Sequence, residues 1–147
     1  MTKNRSKSPC QMEKQSILPL PPSLKSILSL ANLGTLCNWD AIVYHNTNTV
    51  VSRINLSNAK LTGTFSTLDF ASLPNLTQLN LNGNNFEGSI PSIIGKLSKL
   101  TLLDFGTNLF ERTLPYELRQ LRELQYLSFC NNNLNDTIPY QLMNLPK

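Results

Sequence analysis

Charge is scarce in this chain: Asp, Glu, Lys and Arg together make up 15% of its 147 residues. Too little charge accompanies the 40% hydrophobic content for a disordered chain. There is one histidine and there are three cysteines. Cys10, Cys37 and Cys130 are too scattered for zinc-ligand spacing, so no metal site is read. His45 stands in an Asn/Thr-rich stretch, with no carboxylate pair or Cys/His partner at catalytic spacing, and reads as a solvated loop residue. No G-x-x-x-x-G-K-[ST] or G-x-G-x-x-G occurs, so no phosphate cradle and no cofactor is implied. These gaps leave nothing from which to build an enzyme. No window reaches about 18 uninterrupted apolar residues, the length of a transmembrane helix. Met1–Pro9 is basic and polar, and no apolar run of about 7–15 residues comes after it, so it does not read as a secretory signal. Taken literally, the chain is expected to stay in the cytosol or be mislocalised.

The net charge of +4 could suggest a nucleic-acid partner, but its distribution argues otherwise. Residues 1–25 hold Lys3, Arg5, Lys7, Lys14 and Lys25 against Glu13, which accounts for the whole excess. The remainder is neutral. Phosphate neutralisation needs clustered Lys and Arg, so a nucleic-acid groove is not expected.

What the chain has in excess is Leu and Asn, at 27 and 18 residues. The sequence superposes on itself at a shift of 24. Leu79, Leu103 and Leu127 fall in line, as do Asn84, Asn108 and Asn132. Pro91, Pro115 and Pro139 come next, then Leu97, Leu121 and Leu145. An earlier copy fits at a shift of 25 through Ile54, Leu56, Leu61, Gly63 and Phe65. The consensus is L-x-x-L-x-L-x-x-N-x-F/L-x-G-x-I-P-x-x-I/L-x-x-L. Its L-x-L core alternates with period two, a short strand with one buried face. The recurrent Asn at the strand end can bond backbone groups of its own and the next coil. The Pro suits a bend on the far side. No coil can bury its face alone, so stacked coils must share one core.

This pattern resembles the leucine-rich repeat, specifically its plant type with L-x-G-x-I-P on the convex side. The fold it implies is an α/β-type solenoid with short parallel strands on the concave face and helical or 3-10 turns and loops on the convex face. The segment before the repeats resembles the N-terminal cap of plant leucine-rich-repeat receptor-like kinases, whose hallmark is C-x-W-x-x-V-x-C. Cys37 and Trp39 match it, whereas Tyr44 stands in place of the second cysteine. The disulfide that staples that cap in the family therefore cannot form here. Cys37 reads as a small buried hydrophobe and Trp39 as a plug for the open end of the core. The expected organisation is a disordered basic tail (1–16), a cap (17–50) and about four repeats (51–72, 73–96, 97–120 and 121–147).

The resemblance implies a protein- or peptide-recognition module corresponding to the start of a receptor ectodomain. Its partners would be a peptide or protein ligand and a co-receptor, and its place the extracellular side of the plasma membrane. A secreted inhibitor of a cell-wall-degrading enzyme and a non-functional truncated product are the alternatives. Concave-face candidates for the ligand are Arg53, Asn55, Ser57, Gln78, Asn80, Asn82, Leu102, Asp104, Thr107, Tyr126, Ser128 and Asn131. Four strands about 4.8 Å apart would give a face roughly 15–20 Å wide, less than a standard specific interface of about 800 Å² per partner. Among four N-x-S/T sequons, Asn4 falls in the tail and Asn55 on a strand, which leaves Asn75 and Asn135 as candidate glycosylation sites at exposed bends. Gly63 and Gly88 fill the G of L-x-G, but Arg112 and Asp136 replace it later. If that position needs a positive φ, Arg fits it poorly. The last coil's apolar edge is expected to be exposed.

Overall fold

A computed structural model of the chain describes residues 42–45, 50–66 and 68–135. Cys10, Cys37, Trp39, Asp136, Pro139 and the expected basic tail lie outside the described residues. So does the far end of the last coil.

One strand per coil lines the concave face: β2 (Val50–Asn55), β4 (Gln78–Asn80), β6 (Leu102–Asp104) and β8 (Tyr126–Ser128). They pair in parallel, with Ile54, Leu79, Leu103 and Leu127 aligned across the sheet. The alternation in L-x-L dictates this, since the Leu positions must point into the core and the residue between them outward. Ile54, Leu79 and Leu103 are fully buried. A fifth strand, β1 (Ile42–His45), closes the N-terminal edge by pairing antiparallel with β2. Expected as a loop residue, His45 instead ends this strand, opposite Val50. Val50 and Val51, both β-branched, favour the extended backbone that this hairpin needs.

A second parallel sheet lies on the opposite side of the coil, where the Pro had suggested only a bend. Its strands are β3 (Thr62–Thr64), β5 (Asn85–Gly88), β7 (Leu109–Arg112) and β9 (Asn133–Leu134). The N-x-F-x-G stretch also alternates: Phe86 and Phe110 point inward while Asn85, Glu87, Leu109 and Glu111 face out. Short 3-10 helices then close the first three coils at Phe70–Ser72, Ser92–Lys96 and Tyr116–Gln120. Pro91 and Pro115 precede the last two in extended conformation, φ −75° and −67°, where a missing N–H orphans no ladder.

Between the sheets lies a single core of stacked Leu and Phe. Phe65 sits at its aromatic centre, with ring centroids of Phe70, Phe86, Phe105 and Phe110 at 4.8–5.6 Å. Phe86 and Phe110, one coil apart, stack within 8° of parallel. Leu127, Phe129 and Leu134 of the fourth coil are only partly buried.

The Asn column is built as anticipated in kind but not in direction: each amide serves its own coil and the preceding one. Asn84 accepts the Leu61 N–H at 3.0 Å and donates to Leu56 O at 2.9 Å and Leu81 O at 2.8 Å. Asn108 accepts from Phe86 N–H and donates to Leu81, Phe105 and Gly106 carbonyls. Asn132 repeats the set with Phe110, Phe105, Phe129 and Cys130. Asn84 and Asn108 are almost fully buried, at 5% and 6% exposure.

Left-handed backbone recurs from coil to coil at two bends, and Lys60 adds a single instance in the first coil. Asn58, Gly83, Thr107 and Asn131 hold φ from 51° to 70° just after each concave strand. Gly63, Gly88 and Arg112 hold φ of 126°, 76° and 68° in the second sheet. The position of Gly in L-x-G thus demands a positive φ, and Arg112 adopts it without glycine's freedom.

Candidate functional site

The concave sheet presents three rows of outward side chains, because residues two apart on a strand share a face. The first row runs Arg53, Gln78, Leu102 and Tyr126. The second is Asn55, Asn80, Asp104 and Ser128. Strand register aligns both rows coil to coil. A third row lies just past the strand ends: Ser57, Asn82, Gly106 and Cys130. Thr107 and Asn131 break the alternation. They are exposed in the left-handed bend, one residue beyond the third row. Gly106 and Cys130 take the places that alternation assigns to the face.

The second row caps its own strand ends. Asn55, Asn80 and Asp104 each accept through Oδ1 the N–H of the residue two further on, at 3.2, 3.0 and 3.0 Å. In the fourth coil Ser128 replaces them, and its Oγ lies 3.4 Å from Cys130 Sγ. Across coils, Asn82 Nδ2 donates to Asp104 Oδ1 at 3.1 Å. Arg53 and Asp104 are the charged groups of the three rows. Arg53 is exposed, whereas Asp104 is 9% exposed. Tyr126, at 49% exposure, stands beside the half-buried Leu102, a register neighbour. The face thus offers amide and hydroxyl hydrogen-bonding groups, one cation, one anion and an apolar pair.

Gly106 belongs in the third row for a steric reason. A Cβ there would stand 2.7 Å from Asn82 Nδ2 and 3.1 Å from both Ser128 Oγ and Cys130 Sγ. Three side chains therefore converge over the bare backbone.

Of the candidate glycosylation residues, Asn75 is half-buried in a turn, where its side chain accepts a hydrogen bond from Lys99 Nζ. Asn135 is exposed. Thr77, in the Asn75 sequon, donates its hydroxyl to Ser52 O at 2.9 Å, and Thr101 repeats that bond to Thr77 O. Among the described residues no group of three His, Cys, Asp or Glu is placed to hold a metal ion. No helix among them is long and apolar enough to cross a membrane.

Stacked coils of this period, with a parallel sheet inside, an Asn column and 3-10 turns outside, define a leucine-rich-repeat solenoid. Residues 75–97 and 123–145 match the Leucine Rich Repeat family model. Within that class the chain is similar to plant receptor-kinase ectodomains. It is 39% identical over 66 residues to MDIS1-interacting receptor like kinase 2 of Arabidopsis thaliana, covering 45% of this chain and 6% of that protein. The crystal structure of PEPR1–AtPEP1 superposes with a TM-score of 0.70 at 28% identity, covering 84% of this chain and 19% of that one. The Arabidopsis receptor kinase HAESA, solved with the peptide hormone IDA and the co-receptor SERK1, superposes at 0.63 and 26% identity, covering 95% of this chain and 28% of that one. The chain thus spans a small part of the length of these relatives.

Proposed function

We propose that this chain is a protein- and peptide-recognition module that binds its ligand on the concave sheet, as a portion of a receptor-type ectodomain. The observation that supports it is the in-register grid of outward polar side chains beside the Leu102–Tyr126 pair. Amides and hydroxyls at half-buried positions give directional contacts, and an exposed aromatic next to an aliphatic side chain gives an anchor. The similar HAESA structure was solved with a peptide hormone and a co-receptor. A co-receptor would dock on the flank of this chain, on the extracellular side of the plasma membrane. The activity is binding, not catalysis.

Size bears on strength. Five strands about 4.8 Å apart and three rows deep offer a few hundred Å², below the roughly 800 Å² per partner of a standard interface. This stretch alone would bind weakly, and its flanks or further coils would complete the contact.

The test is selection of a phage-displayed random heptapeptide library on the immobilised full chain, with Asn80→Trp as control. Asn80 is half-buried in the central row, so the indole covers the face without entering the core. Selected peptides should lose binding to Asn80→Trp. Equal binding by both proteins would place recognition elsewhere.

A further inference from the structure

Asp104 carries more than its structural task requires. Its Oδ1 caps the Gly106 N–H, as Asn55 and Asn80 cap theirs with neutral amides. A neutral Asn therefore suffices for the turn, and the negative charge is surplus to it. That Oδ1 also takes the bond from Asn82 Nδ2. The second oxygen, Oδ2, bonds no described residue, and no described cation pairs with the carboxylate. Yet the residue is 9% exposed. No buried side-chain oxygen or nitrogen among the described residues lacks a partner, so the unbonded Oδ2 opens to the outside of the face, where it can accept from a donor that arrives there.

The surroundings fix what could arrive. Ser128 is Asp104's register partner on β8, and its Oγ leans over Gly106. One pleat along the same two strands stand Leu102 and Tyr126. Residues two apart on a strand are separated by roughly 7 Å, which is also the spacing of residues i and i+2 in an extended peptide.

We infer that Asp104 anchors a guanidinium or ammonium group of a peptide ligand, with an apolar side chain two residues away seated on Leu102 and Tyr126. Oδ2 accepts from the cation, and Ser128 Oγ supplies a further acceptor beside it. This inference rests on the concave face being the binding surface, and it adds the chemistry of the ligand.

The experiment extends the heptapeptide selection on the full chain. Individual selected peptides are titrated against the wild type, Asp104→Asn and Asn80→Trp by fluorescence anisotropy. Asp104→Asn retains the cap while removing the charge, and an unchanged thermal midpoint would confirm that it folds. The inference predicts enrichment of Arg or Lys two positions from a Leu, Ile, Val or aromatic residue. It also predicts at least about tenfold weaker binding by Asp104→Asn, the scale of a charge-assisted hydrogen bond. Peptides without basic residues, or bound equally by Asp104→Asn, but still blocked by Asn80→Trp, would overturn the inference and leave the concave-face reading standing. Peptides indifferent to both substitutions would overturn the two together.

Discussion

Asn108 Oδ1 accepts the backbone N–H of Phe86 at 3.0 Å, reaching back 22 residues into the coil below. With the two hydrogens of Nδ2 shared among the carbonyls of Leu81, Phe105 and Gly106, this one amide reaches four buried backbone groups. Asn108→Ala leaves the Phe86 N–H without a partner, whereas Leu81 O keeps Asn84, Phe105 O keeps Asn132 and Gly106 O keeps the Gly83 N–H. One buried unsatisfied group costs about 1–3 kcal/mol, so the expected loss is about 2 kcal/mol in urea unfolding. Asn132→Ala removes an equivalent set in a more solvated coil, where water can substitute, and should cost less. Equal losses at both positions would show that burial does not set the cost.

Arg112 holds φ of 68°, in the column that Gly63 and Gly88 occupy. A left-handed conformation costs a side-chain-bearing residue about 1–2 kcal/mol. The exposed contact of its side chain with Glu111, at 4.0 Å, offsets little of this. Arg112→Gly should therefore stabilise the protein by about 1 kcal/mol, after the entropy of the freer unfolded chain is subtracted. An unchanged or lowered denaturation midpoint would mean that Arg112 makes a compensating contact.

Gly95 faces the next coil. A Cβ there would stand 2.7 Å from the Glu117 carbonyl oxygen and 2.9 Å from Glu117 Cβ. Backbone cannot move aside as a flexible tip can, so Gly95→Ala should cost about 1–3 kcal/mol by overpacking. The check is thermal unfolding. Ser92→Ala, exposed on the same turn, should be nearly silent.

Phe65 touches four other rings and is 1% exposed. Phe65→Ala should cost about 3–5 kcal/mol, the range for a buried aromatic removed from a core. Phe129 is partly buried and touches Phe105. Its truncation should cost markedly less in the same assay.

The inner sheet was legible because Leu79, Leu103 and Leu127 recur at one fixed interval, and only one face of a strand can be buried. The Asn column was legible for the same reason. Its direction was not, since spacing alone does not tell whether an amide reaches up or down the stack. The outer sheet went unread because Asn85, Phe86 and Glu87 alternate over too few residues before Gly88 and Pro91 interrupt. Asp104 read as an ordinary outward position. Its burial comes from Gly106, whose missing side chain lets Asn82 close over it, and that is a contact between coils. Thr107 and Asn131 were read as outward residues between buried positions, and their left-handed backbone, φ 51° and 54°, was not visible in that pattern.

Because every Asn reaches backward, the two sides of any coil are chemically unlike. Its N-terminal side brings the amide, and its C-terminal side holds out the N–H and the carbonyl for the amide of its successor. Coils therefore join head to tail only, like couplings of opposite sex. A repeat grafted from elsewhere would have to present a Leu56- or Leu81-type carbonyl to its successor and an Asn84-type amide to its predecessor. Inverted order would leave both halves of the coupling unengaged.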